Sequence, residues 1–199
     1  GYDHGRWERD VLGSFGSQAT QKSRAWYVKD DLTLHTGTRF SAGWRTQIID
    51  KDLNSDGGVD RLGGRLNAWE LGISQPLMPT TTAWVRVGTS FRLANADEFS
   101  FTTPSLAIRP QTSKDTEAGL RWARGAYKLE ARLYRSSLTD EIGYDQNATG
   151  PFSPGSNGAN INFDPTRRQG VELDGDWAVN RQLSLSARLA LRKSSFRSG

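Results

Sequence analysis

No cysteine occurs among the 199 residues. That excludes a disulfide framework and any cysteine zinc site. Long hydrophobic runs are missing as well: no stretch approaches the roughly 18 apolar residues of a membrane-spanning helix. The opening Gly1-Tyr2-Asp3-His4-Gly5 has no charged segment followed by an apolar run, so no signal peptide is read there. Histidine is confined to His4 and His35, which stand far apart and support neither a catalytic dyad nor a histidine metal site. Ser136, Ser137, Ser153 and Ser156 have no plausible base, and no Gly-x-Ser-x-Gly elbow occurs. Gly57-Gly58 and Gly63-Gly64 match no phosphate loop. No enzyme is expected.

Apolar residues make up 35% of the chain, which is lean for a water-soluble core, yet aromatics at 10% and seven tryptophans are too many for a disordered one. What fits is a β-protein with apolar residues on one face of each strand. The 26 Lys and Arg, for a net charge of +4, are scattered singly, the nearest thing to a cluster being Arg192-Lys193 with Arg197. No nucleic-acid partner is expected.

The apolar pattern has period two. From Ala83 to Leu93, one face carries Ala83, Val85, Val87, Thr89, Phe91 and Leu93, and the other Trp84, Arg86, Gly88, Ser90 and Arg92. Leu183 to Arg192 alternates in the same way, as do the shorter runs around Phe40–Arg45, Glu117–Trp122, Lys128–Leu133 and Val171–Val179. Weaker strands are expected at Arg24–Leu34 and Arg65–Gln75. The total is about eight strands of roughly ten residues, the length a tilted strand needs to cross a bilayer. Short connections at His35–Gly37, Pro76–Thr80, Arg124–Ala126 and Asn180–Gln182 alternate with long ones at Asp50–Gly64, Ala94–Gln111 and Asp145–Asn162. Such alternation marks an antiparallel, up-and-down transmembrane β-barrel, with short periplasmic turns and longer extracellular loops. Trp26, Tyr27, Trp44, Trp69, Trp84, Trp122, Tyr127 and Trp177 fall close to strand ends, where aromatic girdles belong. Pattern alone leaves open a soluble β-sandwich with one wet face.

Four motifs narrow the choice. Ile108-Arg109-Pro110-Gln111-Thr112-Ser113-Lys114-Asp115-Thr116-Glu117-Ala118-Gly119 resembles a strand opening of the TonB-dependent receptors, with Gln111 where that family usually has Glu and Thr116 where it often has an aromatic. Leu133 to Ile142 is similar to their long strand ending in Asp-Glu-Ile, and Arg168-Gln169-Gly170-Val171-Glu172 resembles their Arg-Gly-Val-Glu strand start. Tyr27-Val28-Lys29-Asp30-Asp31 resembles a further recurrent strand. The resemblance implies about eight strands of a larger barrel. Residues 1–199 then form a fragment of one barrel domain, without signal peptide, plug domain or terminal strands. It also implies a Gram-negative outer-membrane importer of an iron-siderophore, heme or cobalamin-type ligand. Its partners would be outer-membrane lipid, its own plug and remaining barrel strands, TonB through an N-terminal region absent here, and a small metal chelate. A passive porin- or adhesin-like barrel is the alternative within the membrane.

Candidate sites lie in the loops. Asp52, Asn54, Asp56 and Asp60 have the alternate-position oxygens of a calcium loop, with Gly57 at its sixth position but Gly63 where the bidentate Glu should stand. An ordinary acidic loop reads the same way. Arg92, Tyr144, Phe152 and Asn157 are the candidates for ligand contact. Arg45, Arg86, Arg92, Arg121, Arg132, Arg188 and Arg192 share the inward parity. They either focus the field on an anionic chelate or pair with acids of the plug or of neighbouring strands.

Overall fold

The computed structural model describes residues 1–11, 17–55, 58–95, 98, 102, 108–150 and 157–197, and the side chains of all of these except 11, 17, 53–55, 58–62 and 157. The elements are β1 (Tyr2–Val11), β2 (Ser17–Thr33), β3 (Arg39–Ser55), β4 (Gly58–Met78), β5 (Thr81–Arg92), β6 (Gln111–Arg124), β7 (Tyr127–Thr139), β8 (Glu141–Thr149), β9 (Asn157–Phe163), β10 (Thr166–Ala178) and β11 (Ser184–Phe196). Nine of them form one sheet in the order β1-β2-β3-β4-β5-β6-β7-β10-β11, and every pairing is antiparallel. β8 and β9 form a separate hairpin inserted between β7 and β10.

The eight expected strands are β2 to β7, β10 and β11. Three differences stand out. β1 shows no alternation, because charged residues fall on both its faces: His4, Arg6, Glu8 and Asp10 on one, Asp3 and Arg9 on the other. It is held by ladder pairing to β2, with Tyr2 opposite Trp26 and Trp7 opposite Gln21. The connection expected at Asp50–Gly64 is instead strand on both sides, β3 and β4 pairing as far as Ser55 and Gly58. The loop expected at Asp145–Asn162 is largely the β8–β9 hairpin, with Tyr144 opposite Asn160.

Residues opposite one another in an antiparallel ladder point to the same side, so the registers define whole rows. Leu32, Phe40, Ile73, Val85, Ala118, Leu133, Val171 and Leu191 form one continuous apolar row from β2 to β11. Leu120 at 50%, Leu129 at 54%, Leu133 at 59% and Leu189 at 55% exposure show that nothing in the described chain covers this face. A soluble sandwich would cover it with a second sheet, and the β8–β9 hairpin does not. Asp30 departs from the pattern, lying on the apolar side next to the turn.

Aromatics mark the two edges of the apolar band. Tyr2 and Trp26 meet at 5.4 Å between centroids, and Trp44 lies opposite Trp69. Tyr127 stacks on Trp177 at 5.7 Å beside the short turns. Trp84 and Tyr27 are corrections to the expected girdle, because their parity turns them inward. The Trp84 ring lies with Arg121 above it at 5.1 Å, in space that only a glycine leaves free. A Cβ at Gly119 would come within 2.7 Å of both this ring and the Ala131 carbonyl oxygen. Gly119→Val therefore lowers the thermal unfolding midpoint in detergent, by the equivalent of about 1–3 kcal/mol. An unchanged midpoint would show that the ring has room to move.

The short turns all lie at one end. Gly37 and Gly125 adopt φ of 81° and 57°, the left-handed region where glycine is favoured. β3 with 17 and β4 with 21 residues exceed the roughly 10 residues a tilted strand needs to cross hydrocarbon. They overshoot at the end with the long connections, where Asp50 and Asp52 follow Ile48 on the outward parity.

Candidate functional site

The inward face is a connected array of ion pairs. Lys29 on β2 meets Glu70 on β4 at 3.5 Å, reaching past Gly43, the β3 residue between them. Glu70 meets Arg86 on β5 at 3.5 Å, and Arg86 meets Glu117 on β6 at 2.9 Å. Glu117 meets Arg132 on β7 at 3.5 Å, Arg132 pairs with Glu172 on β10, and Glu172 meets Arg192 on β11 at 2.9 Å. Charge alternates in sign at every step. A Cβ at Gly43 would come 3.0 Å from Glu70 Cγ, so the glycine makes this reach possible. A second rank pairs Arg121 with Glu130 at 3.1 Å and Arg188 with Asp174 at 2.8 Å. From Arg86 to Arg192 the first rank, with the second rank and Trp84, lines a groove of about 810 Å³.

The seven arginines named from the sequence are thus committed to carboxylates of this chain, Arg45 to Asp3 at 3.0 Å and Arg92 to Glu98 at 2.7 Å completing the set. Of the two expectations for them, pairing between strands is what the structure shows. A wall so neutralised presents many polar groups to water but no large uncompensated field.

At the end with the long connections, loop segments fold inward. Ile108, Ile142, Ala94 and Ala19 form a small core with Trp7 against it, drawing together β1, β2, β8 and the β5–β6 connection. Asn95 and Glu98 exchange hydrogen bonds, Asn95 N donating to Glu98 Oε2 at 2.9 Å and Glu98 N to Asn95 Oδ1 at 2.8 Å, the reciprocal pattern of a capping box. Arg92 grips Glu98 through both carboxylate oxygens and also donates to the Ile142 carbonyl at 3.1 Å. From the other side Lys51 donates to the Ala94 carbonyl at 2.7 Å and the Asn95 carbonyl at 3.4 Å, beneath the Trp7 ring. Lys51 is sealed from solvent at 0% exposure. It lies beyond the apolar band, on the overshooting part of β3. Burial lowers its pKa to about 8, against the opposing attraction of Glu98.

Asn162 fastens the hairpin to the barrel rim. Its Oδ1 accepts from Arg109 N at 2.8 Å, and its Nδ2 donates to the carbonyls of Arg109 at 3.0 Å and Asp140 at 2.9 Å. The Asp140 carboxylate binds the Arg109 guanidinium and raises its pKa. Asn162→Ala leaves three backbone groups without these partners. Amide exchange near Asp140 and Asn162 then speeds up roughly 30-fold, the equivalent of about 2 kcal/mol of local stability. Unchanged exchange would mean that other contacts hold the hairpin.

Of the sequence candidates, Arg92 belongs to this loop cluster as a clamp, and Tyr144, 58% exposed, lies on β8 opposite Asn160. Asn157 pairs with Thr149 at the hairpin tip, and Phe152 lies outside the described residues. Asp52 and Asn54 lie in β3, Asp60 in β4 opposite Leu53, and Asp56 outside the described residues. Among the described residues no group of three or more His, Asp or Glu gathers as a metal site. Lys51, Glu98 and Asn162 were not foreseen. The Asn95-x-x-Glu98 spacing is a legible signal for one of them, whereas nothing local marks Lys51.

Comparison with known proteins settles the family. The family described as TonB dependent receptor-like, beta-barrel, matches residues 2–197. The chain belongs to this family. The vitamin B12 transporter BtuB of Vibrio vulnificus is 25% identical over 160 residues, covering 80% of this chain and 24% of that protein. Among solved structures, the ferric-catecholate import receptor Fiu of E. coli superposes with a TM-score of 0.72 at 14% identity, over 93% of this chain and 29% of that one. The copper transporter OprC gives a TM-score of 0.69 at 14% identity, over 98% of this chain and 38% of that one. The receptor segment therefore spans about a quarter of the length of the curated relative it matches. It is an arc of barrel wall: all-β, antiparallel, apolar outside and polar within.

Proposed function

We propose that this receptor segment forms wall and extracellular gate of a Gram-negative outer-membrane importer. The cargo is a scarce chelate of the iron-siderophore, heme or cobalamin type. The observation that carries the reading is the opposition of faces. One side is an uncovered apolar band edged by aromatics, and the other is an ion-paired wall whose loop-bearing end is folded over. Lipid suits the first and a water-filled lumen the second. Arg92, Tyr144, Asn157 and Phe152 remain the proposed ligand contacts, supported by the position of Arg92 in the loop cluster and the exposure of Tyr144 on β8. A plug in the lumen would meet the paired wall, and TonB would act on that plug from the periplasm.

The wall's part in transport is to stay rigid and hydrated while other parts move. Each of its seven named arginines has a counter-charge, so a passing solute meets polar groups but no deep electrostatic trap.

The test is uptake. Cells with and without the gene are given radiolabelled ferric siderophore, heme and cyanocobalamin in turn, with TonB present or deleted. The reading predicts TonB-dependent uptake of at least one of these that is lost with the gene. Equal uptake in both strains for all three, or recovery of the protein in the soluble fraction, would overturn it.

A further inference from the structure

Charge on the outward face of this sheet is organised quite differently from charge within. On β6, β7, β10 and β11 the apolar row Ala118, Leu133, Val171 and Leu191 is followed toward the loop end by Thr116, Arg135, Gln169 and Lys193. The next row is Lys114, Ser137, Arg167 and Ser195. Arg197 follows, its amide bonded to the Pro165 carbonyl. No Asp or Glu occupies an outward position on any of these four strands. Among the described residues Lys114, Arg135, Arg167, Lys193 and Arg197 make no ion pair, whereas every arginine on the inward parity named above has one.

The cations also crowd one another. Arg167 Nε is buried with no acceptor among the described residues. The guanidinium groups of Arg135 and Arg197 lie close enough to repel it. Beside it lies a groove of about 480 Å³. Its floor is Leu133, Val171 and Leu191, and its rim Arg135, Gln169 and Lys193. A site with apolar floor on the membrane side and clustered, unneutralised cations immediately above is complementary to one kind of molecule, an amphiphile with an anionic head. Arginine in particular matches the geometry of phosphate oxygens, and basic residues near an anionic surface are attracted to it.

We propose that this outward face binds the phosphate-bearing headgroup of a lipid in the leaflet on the loop side, held by Arg135, Arg167 and Lys193 with its acyl chains over Leu133, Val171 and Leu191. This rests on the membrane orientation proposed above. The bound lipid neutralises a repulsive cluster that the protein itself leaves uncompensated, and so steadies the strands beneath the β8–β9 hairpin.

The experiment uses the purified full chain in neutral detergent, titrated with a diphosphorylated glycolipid, with its dephosphorylated counterpart and with inorganic phosphate, binding being read by native mass spectrometry. The diphosphorylated lipid binds at least about tenfold more tightly than the dephosphorylated one, and raising sodium chloride weakens it. Combined Arg135→Gln, Arg167→Gln and Lys193→Gln substitution removes that preference with strand content by circular dichroism unchanged. Arg124→Gln, outward at the opposite, turn-bearing end, leaves it intact. If the triple variant loses strand content, the single Arg135→Gln and Lys193→Gln variants and the salt dependence of the parent carry the test. Equal binding of both glycolipids, equal binding after the substitutions, or inorganic phosphate matching the lipid would overturn the assignment. A chain that takes up no detergent would overturn the membrane reading as well. Detergent uptake without phosphate preference sinks this inference alone.

Discussion

Lys51→Met releases the loops from the barrel mouth. The parent ammonium donates to the Ala94 and Asn95 carbonyls from a position with no solvent exposure, so its loss leaves two carbonyls short of a charged donor. A buried acceptor left without its donor costs about 1–3 kcal/mol, and a neutral amine supplies that donor as an ammonium does. Amide exchange at the described residues of the cluster, from Ala94 to Glu98 and around Ile108 and Ile142, therefore accelerates about 10- to 100-fold, while β6 and β7 keep their protection. The same site has a pH signature of definite sign. The closed form lowers the Lys51 pKa to about 8 from 10.5. Between those values the open form binds more protons than the closed form, so closure strengthens as pH rises through this window and weakens again as pH falls through 8. Protection of these amides, corrected for intrinsic exchange chemistry, rises from pH 7.5 to 9.5 in the parent and stays flat in Lys51→Met. A flat profile in the parent would show that Lys51 titrates normally and does not hold the loops.

Arg132→Gln weakens the wall at its most connected point. Arg132 faces Glu117 and Glu172 at once, and its side chain keeps 37% exposure, so water screens part of the interaction. Removing it leaves two carboxylates sharing fewer cations, Glu172 retaining only Arg192 and Glu117 only Arg86. The expected loss is about 1–2 kcal/mol, more than an ordinary surface pair and less than a fully buried one. Arg188→Gln is the internal control. Arg188 is 87% exposed, and its loss changes stability by less than about 0.5 kcal/mol. Thermal unfolding of both variants in one detergent decides the matter. Equal effects would mean that the ladder is a set of independent surface pairs.

Much of this was readable in the chain because a barrel wall writes its two environments into alternate residues. Val85, Leu133 and Leu189 on one parity and Arg86, Arg132 and Arg188 on the other fix the faces without any knowledge of partners. The Ile108–Glu117 and Arg168–Glu172 motifs identified the family. What escaped had a long-range cause. β1 is polar on both faces and exists because β2 offers it a ladder. Trp84 reads as a girdle residue by composition, and only Gly119 across the ladder makes room for it inside. Lys51 looks like any strand lysine, and its burial depends on residues 94 and 95, more than forty positions away. The outward basic face needed the strand registers, since Lys114, Arg135, Arg167 and Lys193 lie scattered in sequence.

The central claim is that alternate residues of one strand face lipid and water. The absence of cysteine makes it directly measurable. Leu129→Cys, Ala131→Cys and Leu133→Cys, with Glu130→Cys and Arg132→Cys, are each spin-labelled in the full chain embedded in liposomes. Collision rates are then measured with oxygen, which partitions into hydrocarbon, and with a water-soluble nickel complex. The account predicts oxygen-dominated labels at 129, 131 and 133 and nickel-dominated labels at 130 and 132, switching at every residue. Labels that respond alike at all five positions would contradict it.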